Sequence, residues 1–448
     1  MKLVILGGGG FRVPLVYGAL LRDTSERRIT RVELHDVDQD RLDAIALVLR
    51  QLAESSATDL SPPTVHTTTD LDQALLDADF VFSAIRVGGL AGRTADERVA
   101  LELGVLGQET TGPGGLAYGL RTVPVAVDVA ERVKALAPGA WVINFTNPAG
   151  LITESMQAVL GPRVIGICDS PIGLGRRAAR ALDLQPDQTS FGYAGLNHLG
   201  WLRTLTHRGV DVLPELVGDS ARLGTFEEGR LFGAEWIAAV GAIPNEYLYY
   251  YYFTRDAVAS IAGGAETRGE FLLSQQRLFY QAVRLRPDDA YAGWLRVRQE
   301  RDATYMKESR GLAEARDELD LQGGGYEGVA VAIMAAISRN ERACMILNVR
   351  NGSTLADLPP DAVVEVPCTV DADGAHPLAA APLSGHPLGL VQQVKAVERL
   401  VIQAARSRSA ALATEAFALH PLVDSVTVGR QLLAGYRARI PEVDALFL

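Results

Sequence analysis

Four consecutive glycines, Gly7–Gly10, directly follow a short apolar segment and constrain the fold of this chain more than any other feature. The apolar residues 2–6 predict a buried β-strand, and the glycines predict the turn that ends it. A helix is expected at Val13–Leu21, because Pro14 is tolerated in the first turn of a helix. A second strand is expected at Arg31–His35. Together these elements form a βαβ unit, which indicates a parallel sheet in a doubly wound α/β fold.

The glycine turn and Asp36 together favour dinucleotide binding. Glycine lets the backbone approach a pyrophosphate, and the N-terminus of the following helix stabilises the anion. Asp36 lies about 26 residues beyond the glycines, where it can accept from a ribose hydroxyl and would repel the 2′-phosphate of NADP. The strict G-x-G-x-x-G pattern fails, because Arg12 stands where the third glycine would lie. A tight glycine turn in another kind of α/β protein is the alternative.

Three further apolar segments predict buried strands that end in polar residues. They span residues 79–85, 141–145 and 164–167, and the last is followed by Cys168 and Asp169. Ligands of doubly wound sheets bind beyond the carboxyl ends of the strands, so these residues are expected to converge on one active site. The strand-end set comprises Gly7–Gly10, Asp36, Arg86, Asn144, Asn147, Cys168 and Asp169.

Cys168 and His198 are candidate ligands of a metal ion. One thiolate and one imidazole at the edges of regular elements can hold a divalent metal that keeps open positions. The alternatives are a small apolar cysteine in the core and a structural histidine with a hydrogen-bond partner. Asp169 is harder to explain structurally, because a carboxylate beside a buried strand is rarely buried without a partner.

Length and charge limit the class of protein. A chain of 448 residues exceeds the usual size of one hydrophobic core, so two domains are expected. The net charge of -11 disfavours nucleic acid and anionic membranes as partners. Three cysteines are too few for a disulfide framework, and no segment is long and apolar enough for a membrane span. We therefore expect a cytoplasmic protein with no nucleic-acid or membrane partner.

The second half of the chain predicts helices that alternate with shorter strands. Helices are expected at 269–283, 327–338 and 391–416. Strands are expected at 343–349 and, within an antiparallel sheet, at 201–205. This mixture is typical of an α+β domain.

Arginines and one tyrosine are further candidates for a binding site. Arg93 and Arg268 lie beside small residues, which is suggestive of anion binding, although each arginine alone is better explained as a solvated surface charge. Arg86 belongs to the same glycine-containing loop as Arg93. Tyr247 lies in a cluster of tyrosines, so packing at an interface is its simplest explanation.

Taken together, several motifs resemble those of glycoside hydrolase family 4, the NAD- and metal-dependent glycosidases. The resemblance extends over nearly the whole chain, and the combination of motifs is specific. The matching segments are GGGG at 7–10, IRVGGL at 85–90, GQETTGPGG at 107–115, NFTNP at 144–148, CDSP at 168–171, GLNHLGW at 195–201, NEYLYYYY at 245–252, NVRNGSTLADLP at 348–359 and HPLGLVQQVKAVERL at 386–400.

The resemblance implies an architecture and an assembly. Residues 1–170 would form a Rossmann-like doubly wound domain that binds NAD. Residues 171–448 would form an α+β domain that supplies contacts to the substrate, the metal and other subunits. This fold is of the lactate/malate dehydrogenase type. Family members are usually homodimers or homotetramers, so the same is expected here.

The resemblance also implies a mechanism without the usual pair of carboxylates. NAD+ takes a hydride from sugar C3, and a divalent metal, typically Mn2+, coordinates the C2 and C3 oxygens. A tyrosine then removes the C2 proton, the aglycone leaves, water adds and the hydride returns. Matching positions imply Cys168 and His198 as metal ligands, Tyr247 as the base and Asp169 as the acid. The implied cofactor positions are Gly7, Gly8, Gly9, Gly10, Phe11, Arg12, Asp36, Arg86 and Asn144, and the implied substrate positions are Arg93, Asn147 and Arg268.

The substrate is implied by the same segments. IRVGGL and GQETTGPGG resemble the 6-phospho-β-glucosidase branch, which predicts a phosphorylated disaccharide or glucoside. That branch commonly has asparagine after the metal-binding cysteine, whereas this chain has Asp169, as α-acting members do. A 6-phospho-α-glucoside or an unphosphorylated sugar is therefore the alternative substrate.

Two other classes of protein share part of the pattern. An NAD-dependent 2-hydroxy-acid dehydrogenase would have the same N-terminal fold, but it needs no cysteine ligand. A non-catalytic NAD-binding sensor would keep the fold without the chemistry. The joint presence of Cys168, Asp169, His198 and Tyr247 argues against the sensor.

Overall fold

The computed structural model describes residues 1–56, 60–304 and 325–448, and the N-terminal part of its sheet is parallel. The parallel strands are β1 (Lys2–Leu6), β2 (Arg31–His35), β3 (Thr64–Thr68), β4 (Phe80–Ser83), β5 (Trp141–Asn144) and β6 (Val164–Gly166). Their order is β3-β2-β1-β4-β5-β6. This is the strand order of dinucleotide-binding folds, in which the ligand crevice opens between the ends of β1 and β4.

Antiparallel strands extend the same sheet beyond β6. These strands are β7 (Thr189–Leu196), β8 (Leu199–His207), β9 (Val210–Asp211), β10 (Ile243–Pro244), β11 (Ala343–Arg350), β12 (Val363–Asp371) and β13 (Gly374–Pro377). The sheet continues from β6 through β11, β12, β7 and β8 to β10. β6 and β11 lie on opposite sides of the predicted domain boundary after residue 170, yet they are hydrogen-bonded neighbours.

Helices cover both faces of the sheet. They are α1 (Val13–Leu21), α2 (Gln39–Glu54), α3 (Leu71–Leu75), α4 (Gly89–Glu102), α5 (Pro113–Leu136), α6 (Ala149–Leu160), α7 (Ser170–Ala181), α8 (Leu213–Val217), α9 (Ser220–Leu223), α10 (Glu227–Phe232), α11 (Ala234–Val240), α12 (Tyr249–Tyr252), α13 (Thr254–Ala262), α14 (Arg268–Leu285), α15 (Ala290–Ala303), α16 (Tyr326–Arg339), α17 (Gly385–Ser407), α18 (Ala410–Leu419), α19 (Val426–Arg439) and α20 (Pro441–Leu446). None of the described helices is long and apolar enough to cross a membrane.

Alternate residues of β1 pack into two different cores. Leu3 and Ile5 belong to the cluster that includes residues of α1 and α2, whereas Val4 and Leu6 belong to the cluster that includes α5. Successive side chains of a strand point to opposite faces, so a strand buried on both faces is apolar throughout. The predicted doubly wound α/β fold is confirmed, and β1, α1 and β2 have the predicted bounds.

One predicted element is wrong. The segment 391–416 was expected to form one helix, but α17 ends at Ser407 and α18 begins at Ala410. Arg408 has a φ of 53°, in the left-handed region that ends helices. Ser409 then caps α18 by accepting from the backbone N–H of Leu412. Apolar residues at helical spacing precede and follow the four polar residues 406–409, so a prediction from periodicity alone joins the two helices.

A buried ion pair holds α4 against α5. Arg121 donates from Nη1 and Nη2 to the two carboxylate oxygens of Asp96, at 2.8 and 2.7 Å, and both side chains are fully buried. Arg121 Nε also donates to the carbonyl oxygen of Val87, at 3.0 Å. The pair therefore fixes the loop between β4 and α4, which carries Arg86 and leads to Arg93 on α4.

Replacing Arg121 by methionine is expected to lower the free energy of unfolding by about 3–5 kcal/mol, because it leaves Asp96 buried without its partner. The matched control is Arg132→Met on the same helix, whose guanidinium pairs with Asp72 and Asp128 at the surface. Exposed pairs contribute about 0–1 kcal/mol, so the control should remain close to the wild type. Urea unfolding curves measure both changes, and equal losses in the two variants would contradict the expectation.

Candidate active site

The glycine turn lies where the ends of β1, β2 and β4 meet. Gly7 and Gly8 each donate a backbone N–H to the carbonyl oxygen of His35, at 2.9 and 2.8 Å. A Cβ atom on Gly7 would lie 2.6 Å from the carbonyl oxygen of Ala84. Gly7 also has a φ of 81°, which disfavours other residues. The turn is therefore closed by backbone contacts that require glycine.

Asp36 is tied to the glycine turn. The backbone N–H of Gly9 donates to Asp36 Oδ2 at 3.0 Å. A side chain on Gly9 would collide with Arg41, since a Cβ would lie 2.7 Å from Arg41 Cβ. The predicted ribose acceptor and the predicted phosphate-binding turn are thus part of one hydrogen-bonded unit.

Side chains from the second half of the chain hold the residues after the glycines. Trp294 Nε1 donates to the carbonyl oxygen of Phe11 at 2.8 Å, and the Tyr326 hydroxyl donates to that of Arg12 at 3.1 Å. The Arg12 guanidinium lies over the rings of Phe145 and Tyr326, 5.4 and 5.2 Å from their centroids. Phe11 and Arg12 therefore lie at the meeting point of the two halves.

Glu109 joins two of the predicted arginines, and the sequence motifs did not single it out. Its carboxylate pairs with Arg86 and, at 2.8 Å, with Arg93 Nη1. Burial raises the pKa of Glu109, but the positive charges of Arg86 and Arg93 outweigh it and hold the pKa at about 2. Arg93 Nε also donates to Glu97 at 2.9 Å. Arg93 therefore pairs with two carboxylates, those of Glu97 and Glu109, and Glu109 also pairs with Arg86.

The two strand-end asparagines have different surroundings. Asn144 is fully buried, and its amide donates to Thr146, Ala149 and Thr153. It stabilises the turn after β5 in this structure, and its role at the cofactor stays a prediction. Asn147 Oδ1 is buried and has no hydrogen-bond partner. A buried acceptor of this kind is available for a ligand, because an unmade hydrogen bond is costly.

Cys168 and His198 meet although they are thirty positions apart in the sequence. Cys168 follows β6, and His198 occupies the turn between β7 and β8 with a left-handed φ of 61°. Cys168 Sγ lies 3.7 Å from His198 Nε2, and both residues are buried. Burial raises the pKa of the Cys168 thiol and lowers the pKa of His198 to about 3. The imidazole is therefore neutral, the form that ligates metals.

This pair fits one divalent metal ion. Metal bonds of about 2.0–2.3 Å to nitrogen and sulfur leave two ligand atoms of the same ion about 3–4 Å apart. The separation of 3.7 Å lies in that range. Among the described residues, no group of three or more His, Cys, Asp or Glu side chains could hold a metal. Two protein ligands would leave the other coordination positions to substrate or water.

Tyr247 and Asp169 flank the pair. The Tyr247 ring stacks on the His198 ring, with centroids 3.6 Å apart and planes within 8°. Asp169 directly precedes α7, where the helix N-terminus favours a negative charge. The Ser170 hydroxyl donates to Glu246 Oε1 at 2.6 Å. This hydrogen bond joins the segment that carries Asp169 to the segment that carries Tyr247.

Arg268 belongs to a cluster of four arginines, which comprises Arg12, Arg93, Arg268 and Arg301. The sequence analysis did not indicate Arg301. Arg268 donates to the carbonyl oxygen of Arg301 at 3.0 Å. Burial and the positive charges of Arg12, Arg268 and Arg93 lower the pKa of Arg301 to about 9. Arg301 Nη1 is buried without a hydrogen-bond partner. Four neighbouring guanidinium groups, one of which has a buried N–H group without a hydrogen-bond partner, suit an anionic ligand.

Most of the predicted residues therefore lie beyond the carboxyl ends of the parallel strands or contact residues that do. The Cys–His pair, the tyrosine stacked on it and the arginine cluster are linked through the loop that carries Glu109 and Thr110. Such a combination can bind a cofactor and an anionic substrate beside a metal ion.

Two family descriptions match the chain. The model "Family 4 glycosyl hydrolase" matches residues 2–184, and "Family 4 glycosyl hydrolase C-terminal domain" matches residues 193–423. A probable 6-phospho-β-glucosidase of Bacillus subtilis is 31% identical over 457 aligned residues, which cover 99% of this chain and 98% of the relative.

Solved structures share the fold. A 6-phospho-β-glucosidase of Thermotoga maritima with manganese, NAD+ and glucose-6-phosphate has a TM-score of 0.81 and 26% identity, covering 99% of each chain. A 6-phospho-α-glucosidase from gut microorganisms with NAD and Mn2+ has a TM-score of 0.78 and 25% identity, covering 98% of this chain and 97% of that one. A lactate dehydrogenase of Eimeria maxima, at 14% identity and a TM-score of 0.53, covers 91% of this chain and 96% of that one and shows a likeness of fold alone.

Replacing Cys168 by alanine is expected to weaken Mn2+ binding by more than about 100-fold, because loss of a ligand exceeds the 10–100-fold effect of losing an outer-shell partner. Cys344→Ala is the matched control, since Cys344 is an exposed free cysteine. The free Mn2+ signal in electron paramagnetic resonance measures both affinities. Unchanged affinity of the Cys168 variant would place the metal elsewhere.

Proposed function

The chain belongs to family 4 of the glycoside hydrolases, and on this premise we propose that it hydrolyses 6-phospho-β-glucosides with NAD and a divalent metal. The family match spans both halves of the chain. The B. subtilis relative is named a probable 6-phospho-β-glucosidase, and the T. maritima relative was solved with glucose-6-phosphate. A phosphorylated glucoside is accordingly the substrate class proposed for this chain.

The observation that carries the proposal is the arginine cluster beside the Cys–His pair. Arg301 lies among three other guanidinium groups, and burial together with their positive charge lowers its pKa. Arg93, one of those groups, pairs with Glu109, and the next residue in that loop, Thr110, contacts His198. A phosphate in the cluster would neutralise this charge through charge-assisted hydrogen bonds while the sugar reaches the metal ligands.

The other roles are assigned to the chain's own residues. The turn Gly7–Gly10 and Asp36 would bind the cofactor, and Cys168 and His198 would hold the metal. When bound, NAD would accept and return a hydride at the sugar, and the metal would polarise its C2 and C3 oxygens. Tyr247, whose ring stacks on that of His198, would remove the C2 proton.

Asp169 would protonate the leaving aglycone. Its position at the start of α7 keeps the carboxyl group beside Cys168. This residue also supports a second candidate function, a 6-phospho-α-glucosidase, because the aspartate departs from the pattern of the β branch. The fold is likewise shared with a 6-phospho-α-glucosidase.

The assignment of the cofactor site and the substrate site to different halves of the chain is also a proposal. Residues 1–170 would carry the cofactor, and residues 171–448 would supply the base, one metal ligand and two of the four clustered arginines, Arg268 and Arg301. Contacts of Trp294 and Tyr326 with the backbone after the glycine turn support this division.

The free thiols of all three cysteines support a reducing, cytoplasmic location. A homodimer or homotetramer is proposed as the assembly.

Arg301→Met is expected to lower kcat/KM for p-nitrophenyl 6-phospho-β-glucoside by about 10–100-fold, since hydrogen bonds to charged groups contribute about 1.5–3 kcal/mol. The assay contains NAD+, Mn2+ and a reductant. Arg298→Met is the matched control, because Arg298 lies on the same helix with an exposed side chain paired with Asp302. The effect should be confined to phosphorylated glycosides.

Four p-nitrophenyl glucosides, α- and β-linked with and without a 6-phosphate, decide the substrate class. The proposal predicts the highest kcat/KM on the phosphorylated β-glucoside, with no net accumulation of NADH. Preference for the phosphorylated α-glucoside would support the second candidate. Turnover without added NAD+ and Mn2+ after dialysis against a chelator would contradict the mechanism, and net NADH formation would indicate a dehydrogenase.

A further inference from the structure

We propose that Thr110 is a positioning residue for the metal site: its hydroxyl accepts a hydrogen bond from His198 Nδ1 and so presents the lone pair of Nε2 to the ion. Thr110 Oγ1 and His198 Nδ1 are 3.1 Å apart. The inference rests on the proposed metal site at Cys168 and His198. Thr110 is a neutral residue that directly follows Glu109, which pairs with Arg86 and Arg93.

Gln108 sets the direction of this hydrogen bond. Gln108 Oε1 accepts from the backbone N–H groups of Thr110 and Thr111, at 2.6 Å each, and lies 3.2 Å from Thr110 Oγ1. An amide oxygen only accepts, so the Thr110 hydroxyl donates its single hydrogen to Gln108. The oxygen of Thr110 is then left to accept from His198.

The tautomer of His198 follows from that direction. A neutral imidazole carries one hydrogen, and the contact with Thr110 places it on Nδ1. The opposite nitrogen, Nε2, then has a free lone pair and faces Cys168 Sγ at 3.7 Å. In the other tautomer, an N–H group would point towards the sulfur and no metal could bind there. Hydrogen bonds to the second nitrogen commonly select the ligating tautomer in this way.

Close packing of the loop keeps Thr110 in place. Cβ atoms on Gly114 and Gly115 would clash with the carbonyl oxygens of Gln108 and Thr110. The loop therefore lies directly against the first turn of α5, and the glycines of the GPGG segment permit this approach. Glu109, between the two loop residues, is anchored by its arginine pairs.

The imidazole is restrained from a second direction. The Tyr247 ring lies flat against it and fixes the plane of the ring. Stacking does not distinguish the two ring nitrogens, because both tautomers have the same shape. The hydrogen bond with Thr110 selects one tautomer of His198, whereas stacking on Tyr247 does not.

The test compares Thr110→Val, which keeps the shape of the side chain but removes the acceptor, with Thr110→Ser, which keeps the hydroxyl. Mn2+ is titrated into each full-length protein and free Mn2+ is measured by electron paramagnetic resonance. The Kd for Mn2+ should rise about 10–100-fold in the valine variant, the usual effect of losing an outer-shell partner. The serine variant keeps the hydroxyl acceptor, so its Kd for Mn2+ should stay close to the wild-type value.

The affinity for NAD+, measured by calorimetry, separates positioning from damage to the fold. The proposal expects it to be unchanged in both variants. Wild-type Mn2+ affinity in Thr110→Val would overturn the inference, as would equal losses in the valine and serine variants. Parallel losses of Mn2+ and NAD+ affinity would overturn it too, because they indicate a structural role. If Cys168→Ala leaves Mn2+ binding intact, the proposed metal site itself fails.

The tautomer can be observed directly in the metal-free protein. In protein labelled with 15N-histidine, nuclear magnetic resonance distinguishes a protonated Nδ1 from a protonated Nε2, and loss of signals in His198→Gln assigns the ring. The wild type should show hydrogen on Nδ1, and Thr110→Val should show a shift towards Nε2. Hydrogen on Nε2 in the wild type would overturn the inference.

Discussion

The approach of Cys168 to His198 is the contact on which the rest of the site depends. The two residues come from different kinds of structure, because Cys168 follows a parallel strand and His198 turns between antiparallel strands. They can meet only because β11 and β12 connect the two parts of one sheet. The fully buried Glu365 ties these strands together, since its Oε1 accepts from Asn348 at 2.8 Å and from Asn197 at 3.2 Å. Burial raises the pKa of Glu365 to about 7.

Arginines cluster at the site although the whole chain is acidic. The protein carries a net charge of -11, which would repel a phosphorylated sugar at long range. At the site, Glu109 is shared between Arg86 and Arg93, while Arg301 is buried among other guanidinium groups. The buried Nη1 of Arg301 has no hydrogen-bond partner, so an anionic group in the cluster would supply the missing acceptor. The net charge therefore disfavours polyanionic partners but does not disfavour a small anion at the arginine cluster.

The sequence was informative where local rules decide the structure and uninformative where distant contacts do. The glycine turn after β1 follows from the apolar segment and the glycines alone, and the structure has it at the predicted place. The break between α17 and α18 depends on one residue, Arg408, in a left-handed conformation that its side chain does not signal. Arg301 lies in a helix rich in charged residues, so only tertiary packing distinguishes it from its exposed neighbours. Thr110 is neutral and common in loops, and its significance comes from the position of His198.

In the proposed function, Tyr247 removes a proton from C2 of a sugar held beside the Cys168–His198 pair. This step is tested most directly by turnover of a 6-phospho-β-glucoside in D2O, followed by nuclear magnetic resonance of the glucose-6-phosphate released. We expect deuterium at C2 of the product from the wild type, and neither release nor C2 exchange at a comparable rate with Tyr247→Phe. Product that retains hydrogen at C2, or a phenylalanine variant with wild-type exchange, would contradict the account.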